Sequence, residues 1–280
     1  SRKSLRPVIL GQFGPPVLAS LRSWSRQGWQ TGLICIGKKD TPVPQSRHLN
    51  QVFRIDPELL YTGEGLRLIR ACLDSFRASG LSCVQERQAM WLDRNRAALE
   101  GYDLWVPPAE STQRVLSKQK QIEAACMVGV HSLPTYYVDK DHLDALEDIP
   151  EEHFPLCFRP SGGGRVVPGF KVCCISSVDE GREFIKGLQC LQTPLIAQPF
   201  RTLPNLVVHG ARSLEGESYG LQGFLVKRKF EGLTLTLGPM DLAEDFKGRC
   251  IEFTREMGIV GSYHFEFLHD PSSSKNYFLE

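Results

Sequence analysis

Residues 261–280 read GSYHFEFLHDPSSSKNYFLE and carry the strongest structural signal in this chain. In the first eight positions aromatic side chains alternate with polar ones, which predicts a β-strand with one apolar face and one polar face. Residues 269–275 combine Asp, Pro and three Ser, a composition that is typical of a turn. Residues 276–280 then predict a second aromatic strand, so the whole stretch is expected to form a β-hairpin.

The predicted hairpin carries one carboxylate on each strand. If the strands pair without a bulge, Glu266 and Glu280 face the same way, and Glu266 lies beside His264 on the polar face. Two carboxylates this close repel each other unless a cation lies between them. Hard oxygen ligands of this kind suit Mg²⁺ that carries substrate phosphates. The alternative is two solvated side chains on an exposed strand, which is the more common situation for such a pair considered alone.

Composition excludes several classes of protein. With 280 residues the chain is long enough for two or three compact units. Its net charge of +1 offers no strong field for nucleic acid or an anionic membrane. No apolar run approaches the roughly 20 residues of a membrane helix, and the start lacks the apolar segment of a signal peptide. The nine cysteines include no Cys-x-x-Cys pair and fit reduced thiols, so we expect a cytoplasmic protein.

The first hundred residues alternate between predicted strands and amphipathic helices. This alternation predicts an α/β domain, with a parallel sheet covered by helices, that ends at Pro107-Pro108. The turn at 11–16, GQFGPP, lacks the Gly-x-Gly-x-x-Gly spacing of dinucleotide-binding proteins. Its two prolines also remove backbone N–H groups where a pyrophosphate needs them. An NAD-dependent oxidoreductase is therefore disfavoured.

The remainder of the chain predicts a mixed α+β arrangement. Helices are expected from Val115 to Val128, at 141–148, and near 242–257, where the apolar residues form a clean stripe. Predicted strands lie on both sides of a glycine-rich loop. Further antiparallel strands are expected at 206–210, 223–229 and 233–237.

The glycine-rich loop lies between two strands rather than between a strand and a helix, so it is not a Walker loop. Its glycines expose backbone N–H groups that can fold over phosphates. Arg159 at its entrance and Lys118 on the preceding helix would supply positive charge. A plain hairpin tip is the more common explanation of such a loop taken alone. The loop begins with Ser161, Gly162, Gly163 and Gly164.

Four motifs follow one another in a recognisable order. They are Ser117-Lys118 with its exit through Gly129-Val130 and Pro134-Thr135, then Phe158-Arg159-Pro160 with the glycine-rich loop, then Ile196-Ala-Gln198-Pro199-Phe200, and finally the hairpin 261–280. In this order and spacing the motifs resemble those of the ATP-grasp superfamily, which includes carboxylate–amine ligases and the synthetase domains of carbamoyl-phosphate synthase. The resemblance covers nearly the whole chain.

The resemblance implies a two-part architecture. Residues 1–108 would form a pre-ATP-grasp, Rossmann-like domain, with Ser46-Arg47 before one of its strands. Residues 109–280 would form a two-subdomain ATP-grasp fold, with a lid at about 134–197 and a C-terminal sheet at about 198–280. The chain stops before the Asn-x-Arg that normally follows the second metal ligand, so we expect the C-terminal sheet to be incomplete.

The resemblance also implies roles for individual residues. ATP would be bound by Lys118, Arg159, the loop residues 161–164 and the backbone of Gln198, Pro199 and Phe200. Glu266 and Glu280 would bind Mg²⁺ or Mn²⁺. Arg228 and Lys229 would hold the γ-phosphate or a substrate carboxylate, although a solvated basic strand explains them equally well. His264 stands where many ligases place an arginine that steadies the reacting carboxylate.

Four positions depart from the family pattern. Arg159 replaces a lysine, which preserves the charge and changes its reach. Pro199 replaces the glutamate of the adenine-binding segment and removes one N–H group. Asn205 stands where an acid often binds ribose. His264 replaces the arginine, and its charge would change near neutral pH.

Two functions fit these observations. The leading hypothesis is an ATP-dependent ligase that joins a small-molecule carboxylate to an amine through an acyl phosphate and releases ADP and phosphate. The alternative is a non-catalytic or regulatory nucleotide-binding protein. In both cases no nucleic acid or membrane is expected as a partner, and a homodimer is compatible with the resemblance.

Overall fold

The computed structural model describes residues 5–38, 40, 42, 45–162, 164–213, 215–230 and 233–280. The chain forms two compact units, Ser1–Thr112 and Gln113–Glu280. Among the described residues, no helix has both the length and the apolar character that crossing a membrane requires.

The first unit contains a five-stranded parallel sheet. Its strands are β1 (Pro7–Gly11), β2 (Gly32–Ile36), β3 (Gln51–Ile55), β4 (Gly80–Cys83) and β5 (Asp103–Trp105), and its helices include α1 (Pro15–Arg26), α2 (Gly63–Phe76) and α3 (Glu86–Arg94). The spatial order is β3-β2-β1-β4-β5, and every neighbouring pair is parallel. Every residue of β1 and β2 is buried, as is typical of central parallel strands covered on both faces. This agrees with the predicted α/β class.

The second unit is a mixed α/β structure built on three sheets. Its helices are α4 (Ala109–Val115), which begins before the unit boundary, α5 (Lys118–Met127), α6 (Val178–Gly187) and α7 (Glu244–Met257). Its strands are β6 (His131–Ser132), β7 (Tyr136–Val138), β8 (Leu156–Pro160), β9 (Val166–Val167), β10 (Cys173–Ile175), β11 (Cys190–Leu191), β12 (Leu195–Pro199), β13 (Asn205–Arg212), β14 (Ser218–Phe230), β15 (Leu233–Met240), β16 (Gly261–Asp270) and β17 (Lys275–Phe278).

The larger two of these sheets carry the residues of interest. A four-stranded sheet has the order β10-β8-β12-β7, and a six-stranded sheet has the order β15-β14-β13-β16-β17-β6. The remaining pair is β11-β9. All neighbouring pairs of the two larger sheets are antiparallel except β17 with β6.

An aromatic cluster holds the C-terminal hairpin against α7. Phe253 on this helix packs 5.0 Å, centroid to centroid, from Phe265 and 5.1 Å from Phe278. Phe267 lies 5.7 Å from Phe278 and is 1% exposed. Aromatic contacts at these distances add about 0.5–1.5 kcal/mol each to the free energy gained by burial. The buried aromatic face leaves Glu266 on the opposite face of the sheet, as the alternation predicted.

Two predicted helices differ in the structure. The helix expected from Val115 to Val128 starts three residues later, as α5, and Val115 instead ends α4, because α5 begins after its N-cap Ser117. Its Oγ accepts a hydrogen bond from the N–H of Lys120 at 3.3 Å and so caps α5. The segment 141–148 forms only a 3₁₀ turn, Leu143–Leu146. Local apolar spacing did not reveal the cap at Ser117, since a cap depends on the chain path before it.

Candidate active site

The hairpin brings Glu266 and Glu280 together through a bulge. Regular pairing of Phe267 with Phe278 would place Leu279, not Glu280, opposite Glu266. Instead the N–H groups of Leu279 and Glu280 both donate to the carbonyl oxygen of Glu266, at 2.8 and 3.3 Å. The Glu266 N–H donates in return to the Glu280 carbonyl at 2.6 Å. Two residues facing one is the pattern of a β-bulge. The premise of unbulged pairing was therefore wrong.

Lys118 contacts this hairpin from the start of α5. Its Nζ forms an ion pair with the Glu280 carboxylate, and its backbone N–H donates to the carbonyl oxygen of Ser161 at 2.8 Å. Burial raises the pKa of Glu280, but the hydrogen bond and charge of Lys118, with those of Arg159 and His264, outweigh burial and lower the pKa. Lys118 thus connects the start of the glycine-rich loop to the side-chain carboxylate of Glu280.

Arg159 extends the same cluster from the four-stranded sheet. Its guanidinium donates to Gln198 Oε1 at 2.5 Å and to the carbonyl oxygen of Leu279 at 3.4 Å. Burial lowers the pKa of Arg159, whereas the charges of Glu280 and Glu266 act in the opposite direction. One guanidinium therefore lies within electrostatic range of both carboxylates.

Gln198 fixes the position of Arg159. Gln198 is 2% exposed, and its Nε2 donates to Thr135 Oγ1 at 2.9 Å. A buried amide with both ends bonded holds one orientation. Arg159 therefore has a fixed acceptor on β12, and the motif residues Thr135, Gln198 and Arg159 form one hydrogen-bonded chain.

The glycine-rich loop is anchored where it begins. Ser161 Oγ lies 2.5 Å from Thr193 Oγ1, which donates in turn to the carbonyl oxygen of Gly162 at 3.0 Å. Gly162 has a φ of 104°, and a Cβ there would lie 2.2 Å from the carbonyl oxygen of Leu116. Only glycine fits this position. A Cβ on Gly164 would lie 2.8 Å from the Thr193 Cβ. Gly163 lies outside the described residues.

The segment predicted to hold adenine offers fewer donors than expected. Pro199 has no N–H, and the N–H of Phe200 donates to the carbonyl oxygen of Pro155 at 2.7 Å. A base held by these two residues would meet carbonyl oxygens, which suit an exocyclic amino group. The ring of Phe200 is 45% exposed and offers an apolar surface beside them.

His264 lies against a second histidine, which the local sequence pattern does not reveal. His209 on β13 is directly opposite His264 on β16, with ring centroids 5.8 Å apart. The His209 ring also packs 5.6 Å from Phe224. Burial and then the charge of His264 lower the pKa of His209. The two rings meet because residues 205–212 pair in register with residues 261–268. Local sequence does not define that register.

The structure does not bring Arg228 and Lys229 into this cluster. Both are exposed near the end of β14, beside irregular pairing with β15. Within the part of the chain that the structure describes, neither side chain has a hydrogen bond or ion pair with the carboxylates. Asn205 begins β13 opposite Leu268. The roles given to Arg228 and Lys229 therefore stay predictions.

The carboxylates form an incomplete set of metal ligands. Among the described residues, no group of three or more His, Cys, Asp or Glu side chains is arranged to hold a metal ion. Mg²⁺ commonly binds one or two carboxylates and completes its octahedron with water and substrate phosphates. Glu266 and Glu280 fit that kind of site, in which nucleotide phosphates supply further oxygen ligands.

No protein-family model and no curated protein sequence matches this chain. Solved structures are similar to it over its full length. The biotin carboxylase–beta-gamma-ATP complex from Campylobacter jejuni has a TM-score of 0.75 and 14% identity, over 98% of this chain and 64% of that one. The L-amino acid ligase from Bacillus licheniformis has a TM-score of 0.66 and 17% identity, over 100% of this chain and 67% of that one.

A third structure was solved with nucleotide and metal. The biotin carboxylase domain of 2-oxoglutarate carboxylase from Hydrogenobacter thermophilus is a dimer in complex with MgADP, ADP and bicarbonate. Its TM-score is 0.76 at 15% identity, over 100% of this chain and 64% of that chain. This chain thus spans less than two thirds of either carboxylase. These likenesses show that the chain has an ATP-grasp fold, and at the level of the fold they confirm the predicted resemblance.

Proposed function

We propose that the second unit binds MgATP between its four-stranded and six-stranded sheets and activates a carboxylate for attack by an amine. The observation that carries this proposal is the cluster of Lys118, Arg159, Glu266 and Glu280, drawn from three separate elements. Two cations and two carboxylates within electrostatic range of one another are suited to bind phosphates and a divalent cation side by side. The nucleotides in the similar structures support the same proposal.

Each charged residue has a proposed task. Lys118 and Arg159 bind the phosphates, and the backbone of 161–164 covers them. Glu266 and Glu280 hold Mg²⁺ or Mn²⁺, which neutralises phosphate charge when bound. Because Lys118 already pairs with Glu280, a cation at Glu280 frees the lysine for a phosphate oxygen. This exchange keeps both charges compensated throughout binding.

The proposed reaction is a phosphoryl transfer followed by substitution. A carboxylate oxygen attacks the γ-phosphorus of ATP, ADP leaves, and the resulting acyl phosphate is attacked by an amine with release of phosphate. His264, whose charge acts on Glu280, would orient the small-molecule carboxylate. Arg228 and Lys229 lie outside the cluster, so a substrate whose charge they meet would have to extend to the end of β14. We place this chemistry in the cytoplasm, since all nine cysteines are free thiols. A homodimer is part of the proposal, by analogy with the dimeric carboxylase domain.

The test is nucleotide binding followed by turnover. Titration calorimetry with ATP and Mg²⁺ should give a saturable site, and chelation of Mg²⁺ should weaken it. Phosphate release is then measured over a matrix of amino acids and small carboxylates paired with amines. If the calorimeter shows no heat of binding at millimolar MgATP, the proposed function is wrong.

A non-catalytic nucleotide-binding protein is the second candidate. The His209–His264 pair favours it, because two imidazoles stand where a ligase would need a permanent positive charge. Burial and the charge of His264 lower the pKa of His209, which keeps that ring neutral near pH 7. Saturable MgATP binding with no phosphate release over the whole substrate matrix would support non-catalytic nucleotide binding over the ligase function.

A further inference from the structure

Two thiols face each other at the base of the glycine-rich loop. Cys157 on β8 is paired directly with Cys174 on β10 in the antiparallel register. Residues paired in this way have Cα atoms about 4.5 or 5.5 Å apart. A disulfide accepts Cα separations of about 4.4–6.8 Å. The Cα separation of either type of antiparallel pair falls within this range, and the two thiols are hydrogen-bond partners, so the sulfur atoms can bond after a local shift of the two strands.

The two thiols differ in accessibility. Cys174 is exposed and Cys157 is partly buried. Burial, followed by the charge and hydrogen bond of Cys174, raises the pKa of Cys157 to about 11. The thiolate is the reactive form of cysteine, so Cys157 is a poor first nucleophile. An oxidant in solution therefore reaches and attacks Cys174 first.

The pair lies on the face of the sheet that carries the proposed nucleotide site. Cys157 precedes Arg159 by two residues, so their side chains share a face of β8. Cys157 is also directly opposite Gln198, the acceptor that fixes Arg159. The strands of the two cysteines are the two ends of the glycine-rich loop. A bond between them would close the base of that loop.

We propose that Cys157 and Cys174 are a thiol modification site, which a peroxide converts into a cross-strand disulfide that weakens nucleotide binding. Its effect on binding rests on the proposed function, whereas the disulfide itself does not. The Cys174 thiolate attacks one peroxide oxygen, the O–O bond breaks, and a sulfenic acid and water form. The Cys157 thiol then attacks that sulfur and releases a second water. The two cysteines lose two electrons and two protons, and hydrogen peroxide is reduced to two waters.

The disulfide acts on the site in two ways. Drawing Cys174 toward Cys157 shifts β8, which bears Arg159, relative to Gln198 on the neighbouring β12, and the hydrogen bond between these two side chains has one defined geometry. The bond also restricts the segment between β8 and β10, which must adapt to the phosphates. Because coupling between two sites is reciprocal at equilibrium, bound nucleotide should disfavour the disulfide relative to the dithiol by the same factor by which the disulfide weakens binding.

The first experiment locates the bond. The full chain is treated with hydrogen peroxide, free thiols are alkylated, and peptides are mapped by mass spectrometry without reduction. We expect a Cys157–Cys174 cross-link that is absent from Cys174→Ser. Cys173→Ser is the matched control, since Cys173 is opposite Phe158 on the other face of the same strand pair, and this variant should keep the cross-link. A cross-link that survives in Cys174→Ser, or no cross-link in the parent chain, overturns the proposal.

The second experiment measures the consequence. A non-hydrolysable ATP analogue with Mg²⁺ is titrated into reduced and oxidised chains by calorimetry. We expect at least a fivefold loss of affinity on oxidation, reversed by dithiothreitol and absent in Cys174→Ser. Equal affinities in a chain shown to carry the disulfide would overturn the regulatory part. No binding by the reduced chain would instead refute the proposed function and leave the mapped disulfide standing.

Discussion

Lys118 and Glu280 form an ion pair across 162 positions of the chain, and this contact joins the start of α5 to the end of the C-terminal hairpin. The lysine side chain is 23% exposed and the glutamate 48%. A pair this accessible adds little to stability by itself. Its significance lies in the proposed site. There a phosphate would replace Glu280 as the partner of Lys118, and a metal ion would replace Lys118 as the partner of Glu280.

Replacing Lys118 should weaken nucleotide binding. In Lys118→Ala the charge-assisted contact to phosphate is lost, which costs about 1.5–3 kcal/mol and lowers affinity for MgATP roughly ten- to hundredfold. Lys120→Ala on the same helix is the matched control, because Lys120 is exposed and its side chain is not part of the cluster. Calorimetry on both variants is the measurement. Equal affinities for the two would remove Lys118 from the site.

Glu266→Gln should separate metal dependence from folding. The substitution keeps the size of the side chain and the backbone hydrogen bonds of the bulge, and it removes one carboxylate from the proposed metal site. We expect an unchanged unfolding midpoint and a shift of the Mg²⁺ dependence of ATP binding to about tenfold higher concentration. Glu256→Gln, on the exposed side of α7, is the control and should titrate like the parent. Superimposable Mg²⁺ curves for Glu266→Gln and the parent would contradict the metal assignment.

Gly162→Ala should disturb the start of the glycine-rich loop. The added Cβ would lie 2.2 Å from the Leu116 carbonyl oxygen, and the φ of 104° is unfavourable for alanine. We expect a loss of about 1–3 kcal/mol in the free energy of unfolding. Gly169→Ala is the matched control in the same loop, since its Cβ would lie at an ordinary 3.8 Å from the Val166 carbonyl oxygen. Urea unfolding measures both, and a Gly162→Ala variant as stable as Gly169→Ala would show that the clash relaxes.

The Glu280 ion pair should make stability depend on pH in one direction. The surrounding charges lower the pKa of Glu280 in the folded chain below the 4.5 of the free side chain. The unfolded chain therefore binds a proton at Glu280 more readily than the folded chain does. The contribution of this group to the free energy of unfolding is complete above pH 4.5 and is lost as pH falls through the pKa of the folded chain. Urea unfolding of the parent and Glu280→Gln should differ near neutral pH and converge in acid.

Lys118→Met provides the control for this pH dependence. Because Lys118→Met removes the other member of the pair, its free energy of unfolding near neutral pH should fall by the same amount as that of Glu280→Gln. The double variant with both substitutions should lose no more than either single variant. Additive losses in the double variant would show that Lys118 and Glu280 do not act on each other in solution.

Much of the fold could be predicted from local sequence, because alternation and helical spacing act over a few residues. The aromatic alternation at 261–268 predicted which face of β16 is buried, and the strand–helix alternation of the first hundred residues predicted a parallel sheet. The order of the motifs led to the ATP-grasp fold. These signals need no knowledge of distant contacts.

The positions of individual side chains in the site depended on tertiary structure. Regular pairing would have set Leu279 against Glu266, and only the bulge at the end of the hairpin brings Glu280 to that position. The partnership of His209 with His264 follows from the register of two strands whose members lie 55 positions apart. Arg228 was predicted for the site from the sequence, and in the structure it is exposed near the end of β14, so its role stays a prediction.

The sequence by itself therefore determined the class of most elements, the buried face of the hairpin and the residue types available for phosphate and metal. Those properties arise from side-chain chemistry and from backbone periods of 2.0 and 3.6 residues, which are local. Only the tertiary structure decided which carboxylate meets which cation. Strand register and a single bulge change that outcome by one residue, and the hydrogen bonds that set them join parts of the chain far apart in sequence.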